Sequence, residues 1–204
     1  EDALRMFRAV RFAAQLGFEI DKETQDAIKE LAPTMSKVSA ERIQVELVKL
    51  LTSDHPEMMR NLYELGLTKV FMPEFDVMMQ TSQNNKHHMY SVGEHTIRTL
   101  MNVRADKVLR LTMLLHDVAK PVCITTDEEG QDHFKKHPAV GADMTKQILR
   151  RLKFDNKTID CCCRLVKEHD DRPQITQKNV RRAMSRIGAG LFPMLFEVKR
   201  ADML

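Results

Sequence analysis

An adjacent histidine and aspartate, His116 and Asp117, lie inside the otherwise apolar run of residues 114–119. Placing a carboxylate in apolar surroundings costs several kcal/mol unless a cation or a set of hydrogen-bond donors replaces the lost water. A divalent metal would provide that compensation, but one pair of residues offers too few ligands to hold it. The chain must therefore bring further ligands from distant segments, as a bundle does when neighbouring helices project side chains inward.

Composition and helix signals both favour an all-α fold. The 204 residues include 14 methionines but only 7 glycines, 2 tyrosines and no tryptophan, whereas strands favour aromatic and β-branched residues. Asp21 and Ser39 are predicted N-caps, and Gly17 is a predicted helix end. The predicted helices cover residues 2–16, 22–31, 40–52, 57–65, 92–103, 107–119, 138–152, 156–168, 177–187 and 190–204.

Two segments lack helical periodicity. Residues 72–86 contain Pro73 and then the polar run 81–86, which predicts a domain boundary or an active-site loop. Residues 125–136 are acidic with a central glycine, and they predict a short hairpin or an irregular loop.

Charge and hydropathy exclude several classes of protein. A net charge of +3 with a pI of about 8.7 is far from that of a dedicated nucleic-acid binder, so any RNA contact must be local. No apolar run approaches the roughly 18 residues of a membrane span, so we expect no membrane partner. The chain opens without an initiator methionine or a secretory leader, and we expect it to be a fragment of a longer protein. Cys123 and the run of residues 161–163 form no disulfide framework, which predicts a reducing, cytoplasmic location.

Two further residues can complete a metal site with the His-Asp pair. Ser91 and Glu94 form a capping box that puts His95 in the first turns of the preceding helix, and Asp202 lies in the last predicted helix. Two imidazoles and two carboxylates suit Mn, Fe, Co, Ni, Mg or Zn and leave positions open for water and substrate. The alternative is that each residue is hydrogen-bonded separately, which is the better interpretation of a single histidine but the poorer one of all four.

The order of His95, then His116-Asp117, then Asp202 resembles the HD superfamily of metal-dependent phosphohydrolases. The resemblance covers residues 80–204. It implies an all-α domain in which these four residues bind a divalent metal and a phosphate ester is the substrate. Such a site lowers the pKa of water and neutralises phosphate oxygens.

The same resemblance implies further functional residues. His137 and His169 match the extended form of the superfamily, which holds a second metal, although a histidine at a helix C-terminus is also explained by the helix dipole. Lys120 and Arg172 are candidate phosphate contacts or solvated surface charges. The expected catalytic residues are His116, Asp117 and Lys120. Two loop histidines are weaker candidates for the pocket mouth: His87 and His88.

The first helix has an apolar side and a basic side. Phe7 and Val10 lie on one side, while Arg5 and Arg8 lie roughly opposite. By spacing alone this is an ordinary surface helix with a solvated charged face.

The opening Glu-Asp-x-x-Arg of this helix closely resembles the segment that begins the neck domain of class II tRNA nucleotidyltransferases, the CCA-adding enzymes and their poly(A) polymerase relatives. The resemblance implies that Asp2 and Arg5 read the Watson–Crick edge of CTP or ATP, and that Arg8 contacts triphosphate or RNA. It implies a helical neck in residues 1–75, an HD-type bundle in residues 80–204, and tRNA as a partner of the full-length protein. The sequence contains no strand-turn-Asp-x-Asp pattern of a polymerase head, so we expect this chain alone not to add nucleotides.

Two functions from different classes follow from these patterns. The first is metal-dependent hydrolysis of a phosphate ester, such as a 2′,3′-cyclic phosphate, a nucleotide or an RNA end. The second is a non-catalytic tRNA-binding scaffold with an idle metal site. A stand-alone nucleotide phosphohydrolase is a third, which the Glu-Asp-x-x-Arg segment disfavours.

Overall fold

The chain is largely helical in a computed structural model that describes residues 2–83, 90–172, 174 and 176–203. The helices are α1 (Leu4–Leu16), α2 (Lys22–Leu31), α3 (Ala40–Leu51), α4 (Met59–Glu64), α5 (Thr68–Phe71), α6 (Pro73–Gln80), α7 (Val92–Met101), α8 (Lys107–Leu115), α9 (Lys120–Cys123), α10 (His137–Arg151), α11 (Asn156–Glu168), α12 (Gln177–Ile187) and α13 (Phe192–Asp202). Two 3-10 helices span Ala32–Lys37 and Pro56–Met58, and one hairpin contains β1 (Thr125–Thr126) and β2 (Asp132–His133). The all-α prediction is confirmed. None of the helices in these ranges is long and apolar enough to cross a membrane.

The first half of the chain packs around α1 and α3. Phe7 and Val10 are fully buried on the side of α1 predicted to be apolar. The helix ends at Gly17, whose φ of 67° is in the left-handed region that glycine favours. Asp21 is the N-cap of α2 and accepts a hydrogen bond from the backbone N–H of Thr24 at 3.0 Å, as predicted.

The second half is built from α7, α8, α10, α11 and α13. The helices α10 and α11 form the most extensive helix pair, and α11 also packs on α8. One buried apolar cluster extends from Leu4 in α1 to Ala201 in α13, so the two halves share a core. The division into residues 1–75 and 80–204 stays a prediction.

The prediction of an irregular segment at residues 72–86 is wrong for Pro73–Gln80, which form α6. Pro73 occupies the first helical position, where a missing N–H has no cost, and Phe75 and Met78 are buried. Across from them, a Cβ on Gly93 would lie 2.5 Å from Met79 Sδ and 2.7 Å from Met79 Cα. The close approach of α6 to α7 therefore requires glycine, and this tertiary contact has no signal in the local sequence pattern.

The segment 125–136 forms a hairpin, as the second prediction allowed. The strands β1 and β2 pair antiparallel with Thr125 opposite His133. In the turn, Gly130 has a φ of 78°, and the Asp127 carboxylate accepts backbone hydrogen bonds from Glu129 and Gln131. These local bonds stabilise a hairpin that contains only two residues per strand.

Candidate metal centre

His116 and Asp117 lie in a turn, not inside a helix as predicted. The helix α8 ends at Leu115, and residues 116–119 form the turn that leads into α9. Both side chains are completely buried. The backbone N–H of Lys120 donates to the Asp117 carbonyl at 2.9 Å, which tightens this turn. Adjacent positions on a regular helix point about 100° apart, whereas this turn directs both side chains toward the same space.

His95 is positioned by the start of α7. The Ser91 side chain accepts a hydrogen bond from the backbone N–H of Glu94 at 3.1 Å, which is the predicted half of the capping box. The carboxylate of Glu94 instead accepts hydrogen bonds from Arg60 at 2.6 and 3.2 Å. This second interaction connects α7 to α4, and it fixes the end of α7 that carries His95.

Four predicted ligands converge in a first cluster. Asp202, the last residue of α13, places Oδ1 3.1 Å from His95 Nε2 and 3.2 Å from His116 Nε2. Asp117 Oδ2 lies 3.2 Å from His116 Nε2 and 3.7 Å from His95 Nε2. One ligand atom from each residue lies within 4.8 Å of all the others. This spacing allows a single cation to contact all four.

A second cluster lies on the other side of the same carboxylate. His137 is the first residue of α10, and His169 follows the last residue of α11. Their Nε2 atoms lie 3.4 and 3.7 Å from Asp117 Oδ1, and 3.3 Å from each other. The structure therefore brings both extended-family histidines to the centre, and Asp117 faces each cluster with one oxygen.

Backbone carbonyl groups set the orientation of three imidazoles. The Nδ1 atoms of His116, His137 and His169 lie 2.7, 2.8 and 2.7 Å from the carbonyl oxygens of residues 113, 134 and 166. Because a carbonyl oxygen can only accept, each Nδ1 is the donor, and in a neutral ring Nε2 then carries the lone pair. Such outer hydrogen bonds are typical of metal-binding histidines.

The donor atoms fit a divalent cation. His116 Nε2 and both oxygens of Asp117 are buried without a well-aligned hydrogen bond from any described residue, although Lys120 Nζ lies 2.8 Å from Oδ2 as an ion pair. In addition, the Nε2 atoms of His137 and His169 lie 3.3 Å apart, so their lone pairs would repel each other if both rings were neutral. A cation between these atoms would satisfy the carboxylate and remove the lone-pair repulsion.

Electrostatics keeps the carboxylates ionised. Burial alone would raise the pKa of Asp117, but His116 and Lys120 hold it well below its usual range. Burial likewise opposes ionisation of Asp202, but the neighbouring His116 and His95 rings lower its pKa in spite of this. Burial lowers the pKa of His116, but the two carboxylates more than reverse this effect and raise it to about 10. A divalent cation that binds His116 would therefore displace a proton.

His137 differs from His116 in its protonation. Burial lowers its pKa more than the attraction of Asp117 raises it. The ring is accordingly neutral at pH 7, the state in which an imidazole binds a metal.

A cavity of about 350 Å³ opens beside the second cluster. The cluster residues in its wall are Asp117, His137 and His169, and the cations in its wall are Lys120, Lys135 and Arg172. The residues of β2 and those that follow it form another wall. The volume is in the range of small-molecule sites. Beside the three cations, the wall carries the carboxylates of Asp117, Asp132, Asp170 and Asp202.

The two predicted phosphate contacts differ in how firmly they are held. Lys120 is buried, and its Nζ donates to Gln83 Oε1 at 3.1 Å and lies 5.4 Å from the centre of the Phe134 ring. Arg172 keeps 58% of its side chain exposed, and its Nη2 lies 3.4 Å from Asp202 Oδ2. Sequence reasoning missed Gln83 and Lys135, because a single polar residue in a loop carries no signal of where it packs. The candidates His87 and His88 lie outside the described residues.

The predicted nucleotide-reading residues lie at the start of α1. Asp2 forms an ion pair with Arg42 and accepts a hydrogen bond from the backbone N–H of Leu4 at 3.2 Å. Arg5 and Arg8 are exposed. None of these predicted residues is among the described residues that line the cavity.

Two family models match the chain. Residues 86–201 match the HD domain, and residues 17–79 match a region described as the probable RNA- and SrmB-binding site of polymerase A. The chain is 32% identical to a CC-adding tRNA nucleotidyltransferase of Thermus thermophilus over 100% of its own length and 49% of the relative's. It is 33% identical to an A-adding tRNA nucleotidyltransferase of Deinococcus radiodurans over 98% and 49% of the two lengths. It is 32% identical to a multifunctional CCA protein of Pseudomonas fluorescens over 75% and 39%. The chain thus spans about half the length of the first two relatives.

Proposed function

The chain belongs to the HD-domain family, and on that premise we propose that its centre binds divalent metal and hydrolyses phosphate esters. The first ion would be held by His95, His116, Asp117 and Asp202, and a second by Asp117 with His137 and His169. One observation carries this proposal. Both oxygens of a completely buried carboxylate lack well-aligned hydrogen bonds from the described residues, and each oxygen faces two histidine Nε2 atoms.

A metal bound here would supply Lewis acidity and lower the pKa of water in the site. The mixed imidazole and carboxylate donors suit Mn, Fe, Co, Ni, Mg or Zn. The carbonyl groups that orient three of the imidazoles hold the donor atoms in place before an ion arrives, which reduces the cost of organising the site.

The cations around the cavity would position the substrate. Lys120 is held by Gln83 and the ion pair with Asp117, so its charge is fixed beside Asp117 in the cavity wall. Arg172 and Lys135 are in the same cavity wall and can meet other oxygens of a phosphate group. A cavity of about 350 Å³ accommodates a nucleotide, a 2′,3′-cyclic phosphate or the end of an RNA strand.

We further propose that the start of α1 serves nucleotide recognition in a longer tRNA nucleotidyltransferase, with Asp2, Arg5 and Arg8 as the residues that contact CTP or ATP and with tRNA as the partner. The exposure of Arg5 and Arg8, three positions apart on one helix, supports this role. The neck would span residues 1–75 and the HD domain residues 80–204, and the four free cysteines are compatible with a cytoplasmic location.

Metal content tests the hydrolase proposal directly. The protein is stripped with a chelator, reloaded with Mn²⁺ or Ni²⁺, desalted and analysed by mass spectrometry for bound metal. Hydrolysis of 2′,3′-cyclic AMP is measured on the same samples. We expect about one or two ions per chain and hydrolysis in the wild type, and loss of both in His116→Ala.

The matched control is His55→Ala, which removes an exposed histidine that pairs with Glu57 outside the centre. It should keep both the metal and the activity. Folded wild-type protein that holds no metal and hydrolyses nothing would contradict the proposal and favour the non-catalytic scaffold.

A further inference from the structure

The exposed side of α12 carries an unusual density of positive charge. The helix has the sequence QKNVRRAMSRI, which contains four basic residues and no acidic one. Lys178, Arg181 and Arg182 are all exposed. Positions i, i+3 and i+4 lie on one side of a helix, so these three charges form a single patch, which we call the α12 basic face.

The opposite side of α12 attaches the helix to the core. Ile187 is buried with Leu165 of α11 and Leu195 of α13, and Val180 is half-buried. At 100° per residue, Ile187 and Val180 lie opposite the basic face. The apolar side is therefore occupied, and the basic face points to solvent.

Ion pairing within the fold does not explain the basic face. The remaining basic residue of the helix, Arg186, lies 2.8 Å from Glu168 and 2.6 Å from Asp171. By contrast, no carboxylate among the described residues lies within ion-pair distance of the three side chains of the basic face. Like charges at such helical spacings destabilise a helix, so this arrangement contributes nothing favourable to folding by itself.

The helix α12 follows the cavity wall closely in the sequence. Arg172 lies in the cavity wall, and α12 starts five residues later. The Thr176 side chain caps α12 by accepting a hydrogen bond from the Asn179 backbone N–H at 3.2 Å, and Asn179 Nδ2 donates to the Gln174 carbonyl at 2.8 Å. These two bonds fix the described residues at the start of α12.

We propose that the α12 basic face binds the phosphate backbone of RNA. Four residues of helix rise about 6 Å, so the three cations can meet successive phosphates of one strand. Helices that bind membranes insert an apolar side, but that side of α12 is packed against the core. The site lies outside residues 17–79, which match the RNA-binding region, and it does not depend on hydrolysis at the metal centre.

The test measures RNA affinity against salt. A fluorescein-labelled single-stranded RNA of about 15 nucleotides is titrated with the full chain in EDTA, and binding is followed by anisotropy. The variant is Lys178→Gln/Arg181→Gln/Arg182→Gln. The matched control, Lys146→Gln/Arg150→Gln/Lys157→Gln, removes three exposed charges from α10 and α11 instead. Both lower the formal net charge from +3 to 0 (+3 minus 3), and glutamine is a good helix former.

Loss of three phosphate contacts should weaken binding by about 10- to 100-fold near 0.1 M salt and reduce the slope of log K against log[salt] by about 2. The control should stay within about threefold of the wild type, because its three charges lie on α10 and α11 and outside the α12 basic face. Equal weakening in both variants, or unchanged RNA binding in the α12 variant, would overturn the proposal. So would α12-dependent binding to vesicles of phosphatidylcholine and phosphatidylserine without an effect on RNA.

Discussion

Removal of one partner of the buried ion pair between α1 and α3 should destabilise the fold strongly. Arg11 Nε lies 2.8 Å from Glu46 Oε2, and the two side chains are only 6% and 8% exposed. At an effective dielectric constant near 20, the attraction at this distance is about 6 kcal/mol before the cost of desolvation. Glu46→Ala leaves the Arg11 guanidinium with Gln15 and the Phe12 ring as neighbours.

Removal of one member of a buried pair costs about 3–5 kcal/mol, because the other charge stays buried without compensation. In a chain of this length that loss lowers the melting temperature by about 6–20 °C. The assay is thermal and urea unfolding followed by circular dichroism. The exposed pair of Lys22 and Asp26 provides the matched control, and Asp26→Ala should cost less than about 1 kcal/mol.

A second variant separates the charge from the packing. Arg11→Met/Glu46→Leu replaces both partners with apolar side chains and should be close to the wild type in stability, since no unpaired charge remains. If Glu46→Ala were as stable as Asp26→Ala, the reasoning would be refuted.

Three further outcomes are expected. Burial raises the pKa of the Cys162 thiol to about 12, so iodoacetamide at pH 8 should label the half-buried Cys123 and spare Cys162 in the native protein. Peptide mass spectrometry measures the labelling of each cysteine, and equal labelling would show that α11 opens. Asp155 caps α11 through hydrogen bonds from Thr158, which lower its pKa from 3.8 to about 2, so the cap's ionic contribution is complete above about pH 4 and is lost as pH falls through 2. The stability difference between wild type and Asp155→Ala, about 1 kcal/mol at pH 7, should shrink over that interval in acid unfolding curves; a constant difference would contradict it. Gly93→Ala should destabilise the fold by about 1–3 kcal/mol or more, because its Cβ meets the backbone of α6. The control Gly141→Ala, whose Cβ would have its nearest neighbour at 3.4 Å, should be tolerated in the same thermal melts. Similar melting temperatures for the two variants would refute the contact.

The need to compensate the buried charge of Asp117 could be predicted from local sequence, but the geometry of the centre could not. An Asp inside an apolar run has to be compensated wherever the run lies, so the prediction of a metal site required no tertiary information. The turn at residues 116–119 was missed because the apolar pattern of α8 continues through it. Its hydrogen bonds depend on the position of α9, which packs against α10.

The two basic positions of α1 show the same limit. Arg8 and Arg11 lie three positions apart in the same basic segment of the first helix. In the structure Arg8 is exposed, whereas Arg11 is buried against Glu46, a residue 35 positions away. At 100° per residue Arg11 lies about 40° from Phe7, on the apolar side of α1, and Arg8 lies about 100° from it. Helical spacing therefore separates the two positions, but it does not identify Glu46 as the partner of Arg11.

The sequence by itself determined most of the longer helices, the N-caps at Asp21 and Ser91, and the residue types available as ligands. Ser39 precedes α3 as predicted, but its side chain makes no capping hydrogen bond. These features depend on hydrogen bonds and side-chain periodicity within a few residues of the chain. Only the tertiary structure decided that Asp117 faces two histidine pairs, that Gln83 and Lys135 lie beside the centre, and that no carboxylate of the described residues pairs with the basic face of α12. Those outcomes depend on packing between segments far apart in the chain, and a local pattern does not specify which side chains such packing brings together.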